Sequence, residues 1–462
     1  MEPGLWSLLP LLVALLFAFV TRSAIPALLG GVIVGAFMMG GNLVIGLNNI
    51  FQEALGNGNF IWICQIVLSI GVLTELFKRS GAISGFAARL DQMGDSKKSV
   101  RLTTWGLGLL IIDDYFSPLL TGTIMRPLSD KARIPREKLA YLLDALTSPV
   151  CVLVPFLAYG AYIASLIVAQ GGAEATPEAG MALYIRSIPF NFYSIITVLF
   201  AGGIALGWIP DFGPMRRAEN RVALTGELIR PGASPFISDS ELPDARPSTG
   251  LSLALYLGIP IMLIMTIALG SYWVYREILI AEAFMTAVAY LSVTMSLKGH
   301  FKSLGELVDV AMKGIMSILP ALLIIAFAYS LNTVTENLGA AAWLIGVSKG
   351  MMTKGLLVAI TFVLAAIISF STGTSWGTFA LVMPLALPLA YAFSSGPSDP
   401  LVLETIAAVT GGGIFGDHTS PVSDTSVLSS AGAGSDHMDH IITQLPYALT
   451  VAGATALLYL FI

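Results

Sequence analysis

Gly411-Gly412-Gly413-Ile414-Phe415-Gly416-Asp417-His418-Thr419-Ser420-Pro421-Val422-Ser423-Asp424-Thr425 is flanked on both sides by apolar sequence long enough to cross a bilayer. Fifteen residues here hold four glycines, a proline, two carboxylates, an imidazole and several hydroxyls. Backbone polar groups left unpaired in hydrocarbon cost several kcal/mol each, so such a stretch belongs inside protein or beside a water-filled cavity. Ionisable side chains at that depth mark an ion or substrate path. The glycines and the proline predict a helix opened around them.

The surrounding chain is of the same kind. Of 462 residues, 55% are hydrophobic and 11% charged, with a mean hydropathy of +0.81, which predicts an all-α polytopic membrane protein. Apolar segments fall near 5–21, 25–48, 60–77, 101–125, 138–169, 188–209, 250–270, 277–297, 307–336, 355–394 and 400–462. The longer ones must be pairs or broken helices, giving about 11–14 membrane segments. No basic leader precedes residues 5–20, which read as a retained first helix. Cys64 and Cys151 both lie in apolar runs and read as packing residues.

Basic residues set the orientation. Loops 78–101 and 126–138 and the polar segment 211–249 are rich in Lys and Arg and are expected on the cytoplasmic side; 49–59 and 170–187 are expected outside. A single span between the first two basic loops would put one on the wrong face. Asp113-Asp114-Tyr115-Phe116-Ser117-Pro118 interrupts it halfway, which predicts a re-entrant hairpin. Phe370-Ser371-Thr372-Gly373-Thr374-Ser375-Trp376-Gly377 predicts a second one.

The halves echo each other. Thr147-Ser148-Pro149-Val150 returns as Thr419-Ser420-Pro421-Val422, with Asp144 and Asp417 shortly before. Gly122-Thr123 returns as Gly377-Thr378, and Gly81 as Gly339; the offsets are 272, 255 and 258 residues. Counting spans between the basic loops makes the second copy run opposite to the first. Inverted repeats with interrupted helices meeting at mid-membrane suit a secondary carrier. The division expected is N-terminal scaffold helices 1–59, first repeat 60–210, cytoplasmic linker 211–249, scaffold helices 250–306 and second repeat 307–462.

A hard cation such as Na⁺ requires oxygen ligands. Asp144, Thr147 and Ser148 offer them in one repeat, and Asp417, Thr419, Ser420 and Asp424 in the other, with Thr372 and Thr374 at the second hairpin. The sodium-ligating carboxylates are read as Asp144, Asp417 and Asp424. His418, Asp113 and Asp114 are candidates for moving protons; His418 could equally be a structural donor, and Asp144 or Asp424 a helix cap. Asp436, His437, Asp439 and His440 resemble a metal cluster but follow a glycine-rich run, and read as a solvated turn. Glu404 reads as the first turn of a helix. The phosphate-cradling Gly-x-x-x-x-Gly-Lys-Ser/Thr loop is missing, so neither ATP hydrolysis nor another enzyme activity is expected, and transport should run on an ion gradient.

Phe415-Gly416-Asp417-His418-Thr419-Ser420-Pro421-Val422-Ser423-Asp424-Thr425, Ser435-Asp436-His437-Met438-Asp439-His440 and Gln444-Leu445-Pro446-Tyr447 resemble the NhaC-type sodium/proton antiporters. Asp113-Asp114-Tyr115-Phe116, Gly122-Thr123-Ile124-Met125-Arg126-Pro127 and Arg136-Glu137-Lys138-Leu139-Ala140-Tyr141 are similar to that family's first repeat. The resemblance covers roughly residues 70–460. It implies an elevator-type member of the ion transporter superfamily, homodimeric in the lipid bilayer of a bacterial-type inner membrane, with no cofactor beyond transported Na⁺ and H⁺ and no nucleic-acid partner. The family is mixed, and some members resemble carriers of malate, lactate or amino acids. Where members often place Cys after Asp-His this chain has Thr419, an oxygen in place of a soft ligand. Na⁺/H⁺ exchange is the main expectation. Na⁺- or H⁺-coupled transport of a small organic anion or amino acid is the alternative; the one basic residue beside a repeat motif, Arg126, is expected at the cytoplasmic end.

Overall fold

The fold is seen in a computed structural model that describes the chain apart from residues 1–3, 22–23, 82–95, 113, 115, 156, 172–175, 236–253, 276–278, 341–342, 344–352, 422 and 462. All regular structure among the described residues is helical. Four helices open the chain: α1 (Leu9–Thr21), α2 (Ala24–Met38), α3 (Leu43–Leu55) and α4 (Gly58–Ser80). Next come α5 (Lys97–Leu110), α6 (Phe116–Lys131), α7 (Arg136–Asp144), α8 (Ser148–Cys151), α9 (Ala158–Ala169), α10 (Pro177–Ser187), α11 (Phe192–Leu206) and α12 (Gly213–Thr225). Two more, α13 (Ile259–Tyr275) and α14 (Ile280–Leu297), lead to α15 (Leu304–Asn337), α16 (Lys354–Thr372), α17 (Ser375–Phe393), α18 (Pro400–Thr419), α19 (Asp424–Ala433) and α20 (His437–Phe461).

Five helices are each long and apolar enough to cross a membrane: Phe60–Ser80, Ile280–Leu297, Lys354–Thr372, Ser375–Phe393 and His437–Phe461. Two bent pairs raise the number to seven, one folded through 118° and the other through 49°. Phe17, Phe37, Met262, Val293, Ile360, Ile367, Leu449 and Phe461 are exposed, a surface that suits lipid and not water. This is a multi-pass membrane protein. Other apolar sequence is cut into shorter pieces, while α15 runs unbroken for 34 residues.

Helices α5 and α6 pack against each other, and α16 and α17 do so across Gly373-Thr374, so both segments fold back as hairpins; Asp113 and Tyr115 lie outside the described residues. Gly373 has φ +68°, a left-handed conformation that closes α16 without the Cβ penalty of other residues. The Thr-Ser-Pro-Val motifs both break helices. Proline has no N–H to donate and pushes the preceding residue out of the α region. α7 ends at Asp144 and α8 begins with Pro149 in its first turn after Thr147, while Ser420, the residue before Pro421, leaves α18 with ψ 134°.

The glycine run does not open the helix as expected. Helix α18 is regular through Thr419, and every residue from Leu401 to Thr419 is buried, Glu404 included. A Cβ on Gly412 or Gly416 would collide with the backbone of α16 at Phe362, Ala366 and Phe370. These glycines bring two helices into backbone contact, as small residues do in membrane interiors; the helix is left only after Thr419, at Ser420.

Segment 211–235 is likewise more than a linker. Lys138 of α7 is fully buried between Asp211, at 2.6 Å, and Glu219 of α12, while Arg221 reaches Glu137 at 3.0 Å. The Tyr447 hydroxyl of α20 donates to Asp211 at 2.8 Å. An isolated ion at such a site would be costly, and paired with two carboxylates it fixes α7, α12 and α20 together. No disulfide joins Cys64 and Cys151.

Candidate functional site

Two carboxylate networks meet at the helix breaks. The first starts at Asp417, buried in the last turn of α18. Its Oδ2 accepts the backbone N–H of Ser375 at 3.2 Å, at the N-terminus of α17, where unpaired N–H groups and the helix dipole favour negative charge. Its Oδ1 accepts the hydroxyl of Ser423 at 2.8 Å, and Ser423 Oγ lies 3.0 Å from Thr425 Oγ1. On the other side the Ser375 hydroxyl lies 2.7 Å from the Tyr159 hydroxyl. Tyr159 donates to Asp114 Oδ2 at 2.7 Å, and Ser148 donates to Asp114 Oδ1 at 2.6 Å. A line of oxygens thus runs from Ser148 and Asp114 in the first half, through Tyr159 and Ser375, to Asp417 and Ser423 in the second.

Asp144 centres the other network, at the end of α7. Its Oδ2 accepts three donors: Ser426 Oγ at 2.9 Å, His440 Nε2 at 3.0 Å and Gln444 Nε2 at 2.9 Å. Its Oδ1 has no hydrogen-bond partner among the described residues. Gln444 also donates to the carbonyl of His418, whose Nε2 lies 2.9 Å from the Tyr193 hydroxyl. One serine pair links the networks, since Ser426 N–H lies 3.5 Å from Ser423 Oγ.

The residues expected from sequence divide accordingly. Asp114, Ser148 and Asp417 lie on the first network. Asp144 does not; its partners are the hydroxyl of Ser426 in α19 and the imidazole and amide of α20. His418 faces Tyr193 of α11. The hydroxyls of Thr147, Thr372 and Thr419 bond back to carbonyls four residues earlier, at Leu143, Ile368 and Phe415, and Ser420 donates to the carbonyl of Phe370. Thr374 stands at the hairpin tip, where its carbonyl accepts from Thr378 at 2.9 Å. Asp113 lies outside the described residues. Asp424 begins α19, and its side chain lies outside them too.

The expected solvated turn at 436–440 is only half so. Asp436 and Asp439 meet Ser234 N–H and Arg230 at the surface, but His437 and His440 are buried. His437 Nε2 lies 2.8 Å from the Pro421 carbonyl that the helix break leaves free. The spacing His437, His440, Gln444 puts these polar side chains on one face of an otherwise apolar helix, a signal that could have found them. Tyr159, Ser375 and Ser426 carried no such signal.

Two carboxylates among four hydroxyls, all oxygen, suit a hard monovalent or divalent cation. Among the described residues no three His, Cys, Asp or Glu side chains converge as a transition-metal site would require.

Comparison with known proteins gives the family. The chain is 31% identical to an uncharacterized protein of Haemophilus influenzae, over 99% of this chain and 91% of that protein. It is 33% identical to an uncharacterized Na⁺/H⁺ antiporter of the same organism, over 29% of this chain and 28% of the relative. Its fold resembles that of the Alcanivorax borkumensis YdaH transporter, whose topology is described as unusual, with a TM-score of 0.56 and 15% identity over 90% of this chain and 88% of that one. The sequence signature of the Na⁺/H⁺ antiporter family matches residues 150–462. On that match, which spans more than half of its length, the chain belongs to the Na⁺/H⁺ antiporter family.

Proposed function

We propose that this secondary transporter exchanges Na⁺ for protons across a bacterial-type inner membrane, at Asp417 and Asp114. The observation that carries this reading is the hydrogen-bonded line from Asp114 to Asp417 between the two hairpin turns. A carboxylate buried in a low-dielectric interior has to be neutralised, by a proton or by a cation, and two near each other all the more so. The hydroxyls of Ser148, Tyr159, Ser375 and Ser423 donate to the site in the absence of metal and can turn their oxygen lone pairs towards Na⁺ when it enters. Proton and sodium thus compete for the same oxygens, which is the minimum an antiporter needs. Asp144, clamped by α19 and α20, joins the halves and does not carry the ion.

Alternating access follows if the two hairpins open in turn, as inverted repeats would allow. Cysteines replacing Lys98 and Lys131, both exposed, should then label from the same side of the membrane. Transport is tested in proteoliposomes holding a pH gradient. NaCl alone should collapse it; collapse only with an added malate, lactate or amino acid would replace this reading with solute-coupled transport.

A further inference from the structure

We infer that Tyr159 couples the two hairpin turns, so that the state of Asp114 in the first half sets the sodium affinity of Asp417 in the second. The inference rests on the reading of Asp114 and Asp417 as the ion-carrying carboxylates. Tyr159 belongs to neither hairpin. It stands in the first turn of α9, buried, with its ring against Trp376 and Phe379 at centroid distances of 4.9 and 5.9 Å. Both partners lie in α17, just past the hairpin tip. The ring is therefore held while the hydroxyl sits between Asp114 Oδ2 and Ser375 Oγ, 2.7 Å from each.

The polarity of that line is fixed by its end. When Asp114 is ionised it only accepts, so the single phenolic proton goes to Asp114 and the Ser375 hydroxyl donates to the phenolic oxygen. Ser375 meanwhile offers its backbone N–H to Asp417. A cation or proton arriving at Asp114 Oδ2 displaces the phenolic proton. Tyr159 must then donate elsewhere or accept, and Ser375, at the first turn of α17, loses or reverses its bond. The N–H facing Asp417 belongs to that same residue, so the change at one carboxylate reaches the other through three hydrogen bonds and no long-range motion. Coupling of this kind is a difference in binding free energy and must act equally in both directions.

Tyr162, one turn along α9, provides the control. Its ring stacks on Trp376 at 4.6 Å, and its hydroxyl bonds at 2.8 Å to the Trp376 backbone carbonyl, not to a carboxylate. Tyr159→Phe and Tyr162→Phe each remove one buried hydroxyl and keep the ring, so loss of packing or of a hydrogen bond as such affects both.

The test is a double-mutant cycle on Na⁺ affinity, measured by calorimetric titration of the purified full chain with NaCl. Asp114→Asn should shift the sodium Kd by about 10-fold, within the usual range of site-to-site coupling. In the Tyr159→Phe background the same substitution should shift it by less than about 2-fold, and in the Tyr162→Phe background by the original amount. Ser375→Ala, which leaves the N–H to Asp417 in place, should abolish the shift as Tyr159→Phe does, and serves if the phenylalanine variant folds poorly. An undiminished Asp114→Asn shift in both Tyr159→Phe and Ser375→Ala overturns the inference, as does no shift in the parent. A parent that binds no Na⁺ overturns the reading of the site instead.

Discussion

The two halves hold their carboxylates in opposite places. In the first, the hairpin turn supplies the carboxylate, Asp114, and the helix break supplies the hydroxyl, Ser148. In the second, the hairpin tip supplies the donor, Ser375, and the helix before the break supplies the carboxylate, Asp417. The shared Thr-Ser-Pro-Val motif conceals this. Asp144 stands three residues before Thr147, whereas Asp417 stands two before Thr419. One residue turns a helix by about 100°. That offset aims Asp417 at the hairpin and Asp144 at α20. The position matching Asp417 in the first half is Ala145, and that matching Asp144 in the second is Gly416, which packs against α16. A repeated motif conserved the break and not the chemistry beside it.

Substitutions can break this comparison, and the largest effect is expected at Asp417. Asp417→Asn should reduce Na⁺-driven proton flux in proteoliposomes to the leak of protein-free vesicles, since an amide cannot exchange a proton. Its melting temperature should stay near the parent's, because the amide oxygen still accepts one of the two hydrogen bonds. Asp144→Ala should do the reverse in emphasis. It leaves His440, Gln444 and Ser426 without their acceptor, and removing one partner of a buried pair costs about 3–5 kcal/mol. Thermal unfolding in detergent should register this as the largest drop of the set.

A smaller effect separates packing glycines from unwinding ones. Gly416→Ala should cost about 1–3 kcal/mol by forcing α18 away from α16. Gly453→Ala, in α20 with open space around the added methyl, should be neutral or slightly stabilising. Equal melting temperatures for the two would put Gly416 back among the flexible positions.

The smallest effect concerns Asp399, in the loop before α18. Its carboxylate accepts the backbone N–H and the hydroxyl of Ser395 and caps the helix at Leu401 N–H, and these bonds hold its pKa down at about 2. A depressed folded pKa contributes stability that is complete above the unfolded value of about 3.9 and disappears as pH falls towards 2. Asp399→Ala should therefore cost about 1 kcal/mol at neutral pH and progressively less below pH 4. A cost independent of pH would assign the effect to something other than the carboxylate.

Much of the architecture was legible because proline and glycine have local consequences. Pro149 and Pro421 break their helices wherever they sit, and the polar interruptions at 113–118 and 370–377 turn their segments back. Rotation was not legible. Reading Asp144 and Asp417 as a matched pair ignored the one-residue offset that sends them to different helices. The Gly411–Gly416 run reads identically whether glycine opens a backbone or lets two backbones touch, and only the neighbouring helix decides. His440 was lost to its glycine-rich approach, although the face it shares with His437 and Gln444 was written in the spacing. Tyr159 was one aromatic residue in an apolar run until Asp114 and Ser375 were seen on either side of its hydroxyl.

The central claim is that Na⁺ displaces a proton from the Asp114–Asp417 line and not from Asp144. Addition of NaCl to purified protein in weakly buffered detergent solution, read with a pH indicator, tests it directly. Proton release should be seen with the parent, be retained by Asp144→Asn and be absent from Asp417→Asn. Release that persists in Asp417→Asn and disappears in Asp144→Asn would contradict the account.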